Sequence, residues 1–369
     1  MNENWKFSEI PYTRPDVEAL QARYDALTRR ARDAAGPEEL LQVVRDRDAL
    51  QQEVSLCQSI ATIRAFHDVT DAFYQTEFQE TLPRLETLDS QSLAQAIVES
   101  PYAQAVDEAF GPQLRAAQVS PDRDRRKAAF EAERQTVLAQ ADTLEQLLRD
   151  LVRARNDLAR ANGFDNFADY GGLAMQRVGY GRAELDEFCR QVRTHITPVY
   201  FRFQEEQRRR LGVDVLMPYD RPLVFPEGNA VPVAEDELPW AARRMYHALS
   251  PEAGEFFDEM VRRELLDVAA SPNKISGMGF CEELAEPYRM PFVFANCSGT
   301  ASDVTVYTHE LGHGLQGYLS AQTQPVSDYI GLSPDLAEVH SKTMELLPLP
   351  YAPGVVEALA QTLRHQPTP

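Results

Sequence analysis

Residues 304–319 read VTVYTHELGHGLQGYL. On a helix, His309 and His313 stand at i and i+4, so both imidazoles leave one face a single turn apart and can meet one ion. Glu310 sits on the flank of that face, within reach of a water held at such an ion. Asp303 is a plausible cap for this helix. In a chain with seven histidines, HExxH arises by accident in roughly one protein per hundred. A histidine pair packed into a core is the competing reading.

A zinc hydrolase needs a third protein ligand and leaves a fourth position open for water. Residues 333–347, SPDLAEVHSKTMELL, supply it. Ser333, Pro334 and Asp335 form a cap and first turn, and the helix that follows carries Glu338 and Glu345 one heptad apart on one face. On spacing alone either carboxylate can face the histidines. Glu338 lies 29 residues beyond His309, and the intervening SAQTQPVSDYIGL is long enough to bring the second helix back against the first. Glu345 then falls about 10 Å further along, where it suits an acceptor that fixes a histidine tautomer. His340 points about 160° away from Glu338 around the helix and makes a poor substitute ligand.

Upstream, the texture is helical. Apolar residues recur at helical spacing from Pro37 to about Phe66, and again from Ser120, with Pro121 at the first helical position, to a stop at Gly163. A further helix spans Arg182 to Leu211 with Leu185, Phe188, Val192, Ile196 and Val199 on one stripe. The Pro-, Gly- and Asp-rich stretch from Gly212 is a long irregular connection, after which helical spacing resumes over Ala234–Leu249 and from Pro251 to Leu266. Heptads are not sustained, which favours walls of a globular body over a coiled coil. From Ser271 the pattern changes to two short strands, the second at Pro291–Cys297. The fold class is mainly α with a small β-sheet beside the active-site helix. It divides into an N-terminal helical region over 1–175 and a zinc-binding catalytic region over 176–369.

Across 369 residues, 43% hydrophobic and 25% charged, the composition is that of a globular protein and excludes disordered and collagen-like classes. The net charge of −20 repels polyanions and argues against nucleic acid and anionic membranes as partners. No run is long and apolar enough to span a bilayer and no basic-then-apolar leader opens the chain, so the expected location is cytoplasmic. Cys57, Cys189, Cys281 and Cys297 are scattered, which reads as buried free thiols without a disulfide framework.

The run NKISGMGFC (273–281), MPFVFANCSGTASDV (290–304), YTHELGHGLQ (307–316) and SPDLAEVHSKTMELL (333–347) resembles oligoendopeptidase F and, more remotely, thimet oligopeptidase. The similarity extends upstream through RRKAAFEAERQ (125–135), RNDLARANGFDNFADY (155–170) and RVGYGRAELDEF (177–188). The resemblance implies a two-lobed helical metallopeptidase that admits short peptides to a channel and carries one zinc ion per chain. It places His309, His313 and Glu338 on the metal, Glu310 as general base and Glu345 behind a ligand. It likens the segment around Phe294 to Thr300 to the edge strand and Gly turn that hold substrate backbone, with Phe294, Asn296, Gly299 and Thr300 as the candidate contacts. Relatives continue past the second metal helix with tyrosine and histidine side chains that steady the tetrahedral intermediate. Here PLPYAPGVVEALAQTLRHQPTP (348–369) matches none of those motifs, so a shortened chain is expected, with self-association through uncovered apolar surface. Tyr307, Tyr318 and Tyr329 are expected to pack rather than to replace the missing groups. The rival reading is a catalytically silent relative that serves as a zinc- or peptide-binding scaffold.

Overall fold

The structure is a computed structural model of the chain; it describes residues 5–33, 37–82, 84, 117–118, 120–139, 141–228, 238–275, 279–297, 301–324 and 329–351. In chain order the elements are α1 (Val17–Asp33), α2 (Pro37–His67), α3 (Ala72–Thr76), α4 (Arg123–Ala139), α5 (Ala141–Ala161), α6 (Phe167–Ala174), α7 (Arg182–Gln191), α8 (Thr197–Leu211), α9 (Leu238–Leu249), α10 (Pro251–Arg262), β1 (Leu266–Asp267), β2 (Gly279–Leu284), β3 (Met290–Ala295), α11 (Ala301–Thr323) and α12 (Pro334–Leu346). The expected mainly helical fold with a small sheet is what forms. No helix among the described residues is long and apolar enough to cross a membrane.

Two compact units result, and neither is continuous in sequence. One holds 1–92, 231–332 and 337–369, and the other holds 93–230 and 333–336. Each unit draws on chain from both before and after residue 175. The reason is visible at α2, which returns to the sheet more than two hundred residues later: Ser59 Oγ donates to Glu282 Oε1 at 2.6 Å, and the Phe66 and Phe280 rings lie 5.7 Å apart.

In the first unit the sheet has the order β1-β3-β2. β3 runs parallel to β1, with Leu266 opposite Val293, and antiparallel to β2, with Gly279 opposite Ala295 and Leu284 opposite Met290. Every residue of β3 is buried, as expected of a central strand covered on both faces, where an unbroken apolar run replaces alternation. β2 alternates instead: Phe280 and Glu282 face α2, while Gly279 and Glu283 face α11. Phe256, Phe257, Phe292 and Phe294 are fully enclosed in this core, each worth about 1.5–3 kcal/mol of burial.

In the second unit, Asp220 is the organising charge. It accepts from Arg123 Nε at 3.0 Å and from Arg126 Nη2 at 2.9 Å, and Arg126 Nη1 also donates to the Ser120 carbonyl at 2.7 Å. This ties the irregular 212–228 stretch to α4.

Several local expectations change. The helix expected over 182–211 is interrupted at Val192–Ile196 by a wider turn, and Phe188 and Ile196 of its apolar stripe are exposed. The sheet has three strands rather than two, because the two-residue β1 reads as the end of the preceding helix. α11 is described from Ala301, which places Asp303 within the helix. Residues 234–237, where the sequence places the start of the next helix, lie outside the described residues, and α9 is described over Leu238–Leu249. The four cysteines form no disulfide among the described residues, and of the thiols expected to be buried only Cys297 is, with Cys57 and Cys281 half-buried and Cys189 exposed.

Candidate metal centre

α11 is amphipathic in three directions. Tyr307 and Leu311 enter the core, Gly312 faces α12, and His309 and His313 occupy the stripe between the sheet side and the α12 side. Their rings stand 4.9 Å apart, nearly perpendicular. His309 Nε2 lies 3.4 Å from Glu338 Oε2, and His313 Nε2 lies 3.8 Å from Glu338 Oε1. One donor atom from each of the three residues falls within 4.8 Å of the others.

Two imidazole nitrogens and a carboxylate oxygen converging at that span could hold a metal ion, and their donor types are those of hydrolytic zinc sites. The protonation pattern also fits. His309 Nδ1 donates to Glu345 Oε1 at 2.7 Å, which turns the Nε2 lone pair toward Glu338. Burial pushes the His313 pKa down, favouring the neutral imidazole that ligates a metal. For Glu345, burial is outweighed by hydrogen bonds from Lys342 and His309, and the carboxyl is held below its usual range. Lys342 Nζ reaches the same Oε1 at 2.7 Å.

Glu310 is buried, and its carboxylate borders Gly279 of β2: a Cβ at 279 would stand 3.4 Å from Glu310 Oε1 and 2.7 Å from Val306 Cγ1. Burial pushes Glu310 up to about 6, with Glu338 adding to the rise and His309 opposing it. It is thus a carboxyl poised near neutrality, as general bases are.

Two features of the site are not visible as motifs. A Cβ at Gly312 would lie 2.8 Å from Ser341 Cα and 2.9 Å from Met344 Cβ, so a glycine here lets α12 approach α11. Ser341 is fully buried and its Oγ lies 2.8 Å from Glu338 Oε2. The i, i+3 spacing of Glu338 and Ser341 was the available signal, but a serine at that spacing is commonplace.

The candidate substrate contacts fare differently. Phe294 is fully buried in the central strand, its ring stacked 4.9 Å from Phe280. β1 and β2 flank this strand, so the strand expected to be the edge is the middle one. Asn296 donates from Nδ2 to the Ser271 carbonyl at 3.1 Å, and its Oδ1 accepts from Ser271 N at 3.0 Å. Its side chain holds the 271–275 turn. Gly299 and Thr300 lie outside the described residues. Tyr307 and Tyr318 are buried, and Tyr329 is exposed.

Comparison with known proteins gives matches of sequence family and of fold. A family model described as the peptidase M3 N-terminal domain matches residues 7–120, and one described as peptidase family M3 matches residues 116–229 and 246–353. Among solved structures, one of PZ peptidase A with an inhibitor is 29% identical, with a TM-score of 0.81 over 98% of this chain and 73% of its own. A protein assigned to oligoendopeptidase F is 30% identical, with a TM-score of 0.82 over 98% of this chain and 73% of its own. Another so assigned, from Bacillus anthracis, is 27% identical, with a TM-score of 0.82 over 98% and 76%. No match was found among curated proteins.

Proposed function

The chain belongs to peptidase family M3, and on that footing we propose that it hydrolyses short oligopeptides with one zinc ion held by His309, His313 and Glu338. The convergence of three donor atoms within 4.8 Å carries this reading. When bound, zinc supplies a Lewis acid for the scissile carbonyl and acidifies water.

The chain's own groups do the rest. Glu310 takes the proton from the attacking water at its carboxylate and passes it to the leaving amine nitrogen. Its raised pKa suits both halves of that transfer. Glu345 holds the His309 ring through Nδ1, and Ser341 orients the Glu338 carboxylate. Among the described residues no further strand pairs with the outer edge of β2 beside Glu310, where an extended peptide can add as a further strand.

The test is cleavage of a quenched fluorescent peptide library by the purified chain, with and without chelator and zinc restoration, beside Glu310→Gln. Cleavage that disappears with chelator, returns with zinc and is lost in Glu310→Gln is the expected result. One zinc per chain with no cleavage in any sample would sink the peptidase reading and leave a metal-binding scaffold. Cleavage that survives in Glu310→Gln would overturn the assigned base.

A further inference from the structure

Glu283 carries a carboxylate that none of the above uses. It lies on β2, four residues after Gly279 and therefore on the same face, toward α11. A Cβ at Gly317 would collide with the Glu283 carboxylate; the side chain lies where a residue at 317 would otherwise stand. Gly317 is seven residues beyond Glu310, two turns along the same side of α11, or about 10 Å. β2 is one of the two outer strands of the sheet, so Glu283 borders the track that begins where Gly279 meets Glu310.

Among the described residues, no hydrogen bond or ion pair reaches this carboxylate. Arg289, in the turn that follows, is engaged with the Gln324 carbonyl at 2.8 Å and with Glu286 at 3.3 Å. Glu282 is turned to the opposite face and bonded by Ser59. The residue as a whole is exposed, while its carboxylate lies against Gly317 of α11. Burial, helped by Glu282, pushes the carboxyl up to about 7, as expected of an acid awaiting a counter-charge.

We propose that Glu283 is a specificity residue, selecting peptides that place a cationic group, a Lys or Arg side chain or the free α-amino end, about three residues from the scissile bond. The inference rests on the peptidase reading above and names its substrate class. Three residues of extended chain span about 10 Å, matching the offset from Glu310. An ammonium or guanidinium there would form a charge-assisted hydrogen bond with the Glu283 carboxylate.

The experiment compares quenched peptides of one sequence in which Lys or norleucine occupies successive positions on each side of the cut, each with a free or acetylated amino end. Cleavage is followed at pH 8, where the carboxyl is ionised. At one position the chain should favour the cationic peptide about tenfold in kcat/KM. In Glu283→Gln that ratio should collapse toward one, and in Glu283→Lys it should invert in favour of Glu at the same position. The acetylated set separates the two sources: loss of preference on acetylation assigns the α-amino group, and its persistence assigns the side chain. A ratio near one in the unaltered chain, or an unchanged ratio in both variants, overturns the proposal. Binding of the same peptides to Glu310→Gln, read by fluorescence anisotropy, tests the preference even where no peptide is cut, so that failure of the hydrolytic reading is told apart from failure of this one.

Discussion

Gly312 and Ser341 are in backbone contact: a methyl at 312 would come within 2.8 Å of Ser341 Cα. That approach sets the distance between α11 and α12, and with it the reach of Glu338 toward His309 and His313. Gly312→Ala should separate the helices and cost about 1–3 kcal/mol, the usual range for overpacking. Denaturant titration checks the stability. Zinc affinity by chelator competition should fall with it, and an alanine variant of unchanged affinity would show that the spacing is not set here.

Glu345 meets His309 at 2.7 Å, and removing it frees the imidazole to rotate and change tautomer. Glu345→Ala should weaken zinc binding about 10- to 100-fold while the fold is retained by circular dichroism. Chelator competition with the purified variant reads this directly.

Removing the metal should lower thermal stability as well as activity. Zinc at 100 times its dissociation constant contributes about 2.7 kcal/mol to the folded state. A melting temperature unmoved by chelator would argue against a site preformed by His309, His313 and Glu338.

Glu310 must be ionised to accept a proton. Burial raises it to about 6, and a bound cation nearby pulls that value down. The acid limb of kcat/KM should therefore fall at or below pH 6, losing tenfold per pH unit. A limb centred well above 6 would point to another group.

Asp220 is buried, and burial alone would raise its pKa. Hydrogen bonds from Arg123, the Met217 amide and Arg126 overcome that, so the folded value lies below the usual carboxylate range. A depressed acid stabilises the fold above its unfolded pKa, about 4, and the contribution is lost as pH falls through the lower folded value. Asp220→Asn should cost about 3–5 kcal/mol at neutral pH by leaving Arg126 buried without its partner. Its penalty should shrink in acid, a trend that denaturation at pH 7 and pH 3 resolves.

The sequence by itself determined the helices, the pairing of His309 with His313 and the family, because helical spacing and motif chemistry are local. It also narrowed the third ligand to two carboxylates on one helix face. Only the tertiary structure brought Glu338 to the histidines and Glu345 behind His309, since that depends on how α12 rotates and how near Gly312 lets it come. The sheet tells the same story. The apolar run of β3 reads alike whether the strand is central or at an edge, and only the pairing of β1 and β2 around it buried Phe294 and made β2, with Glu283, an outer strand. Strand order and helix approach are fixed by packing between residues far apart in the chain, and no local pattern records them.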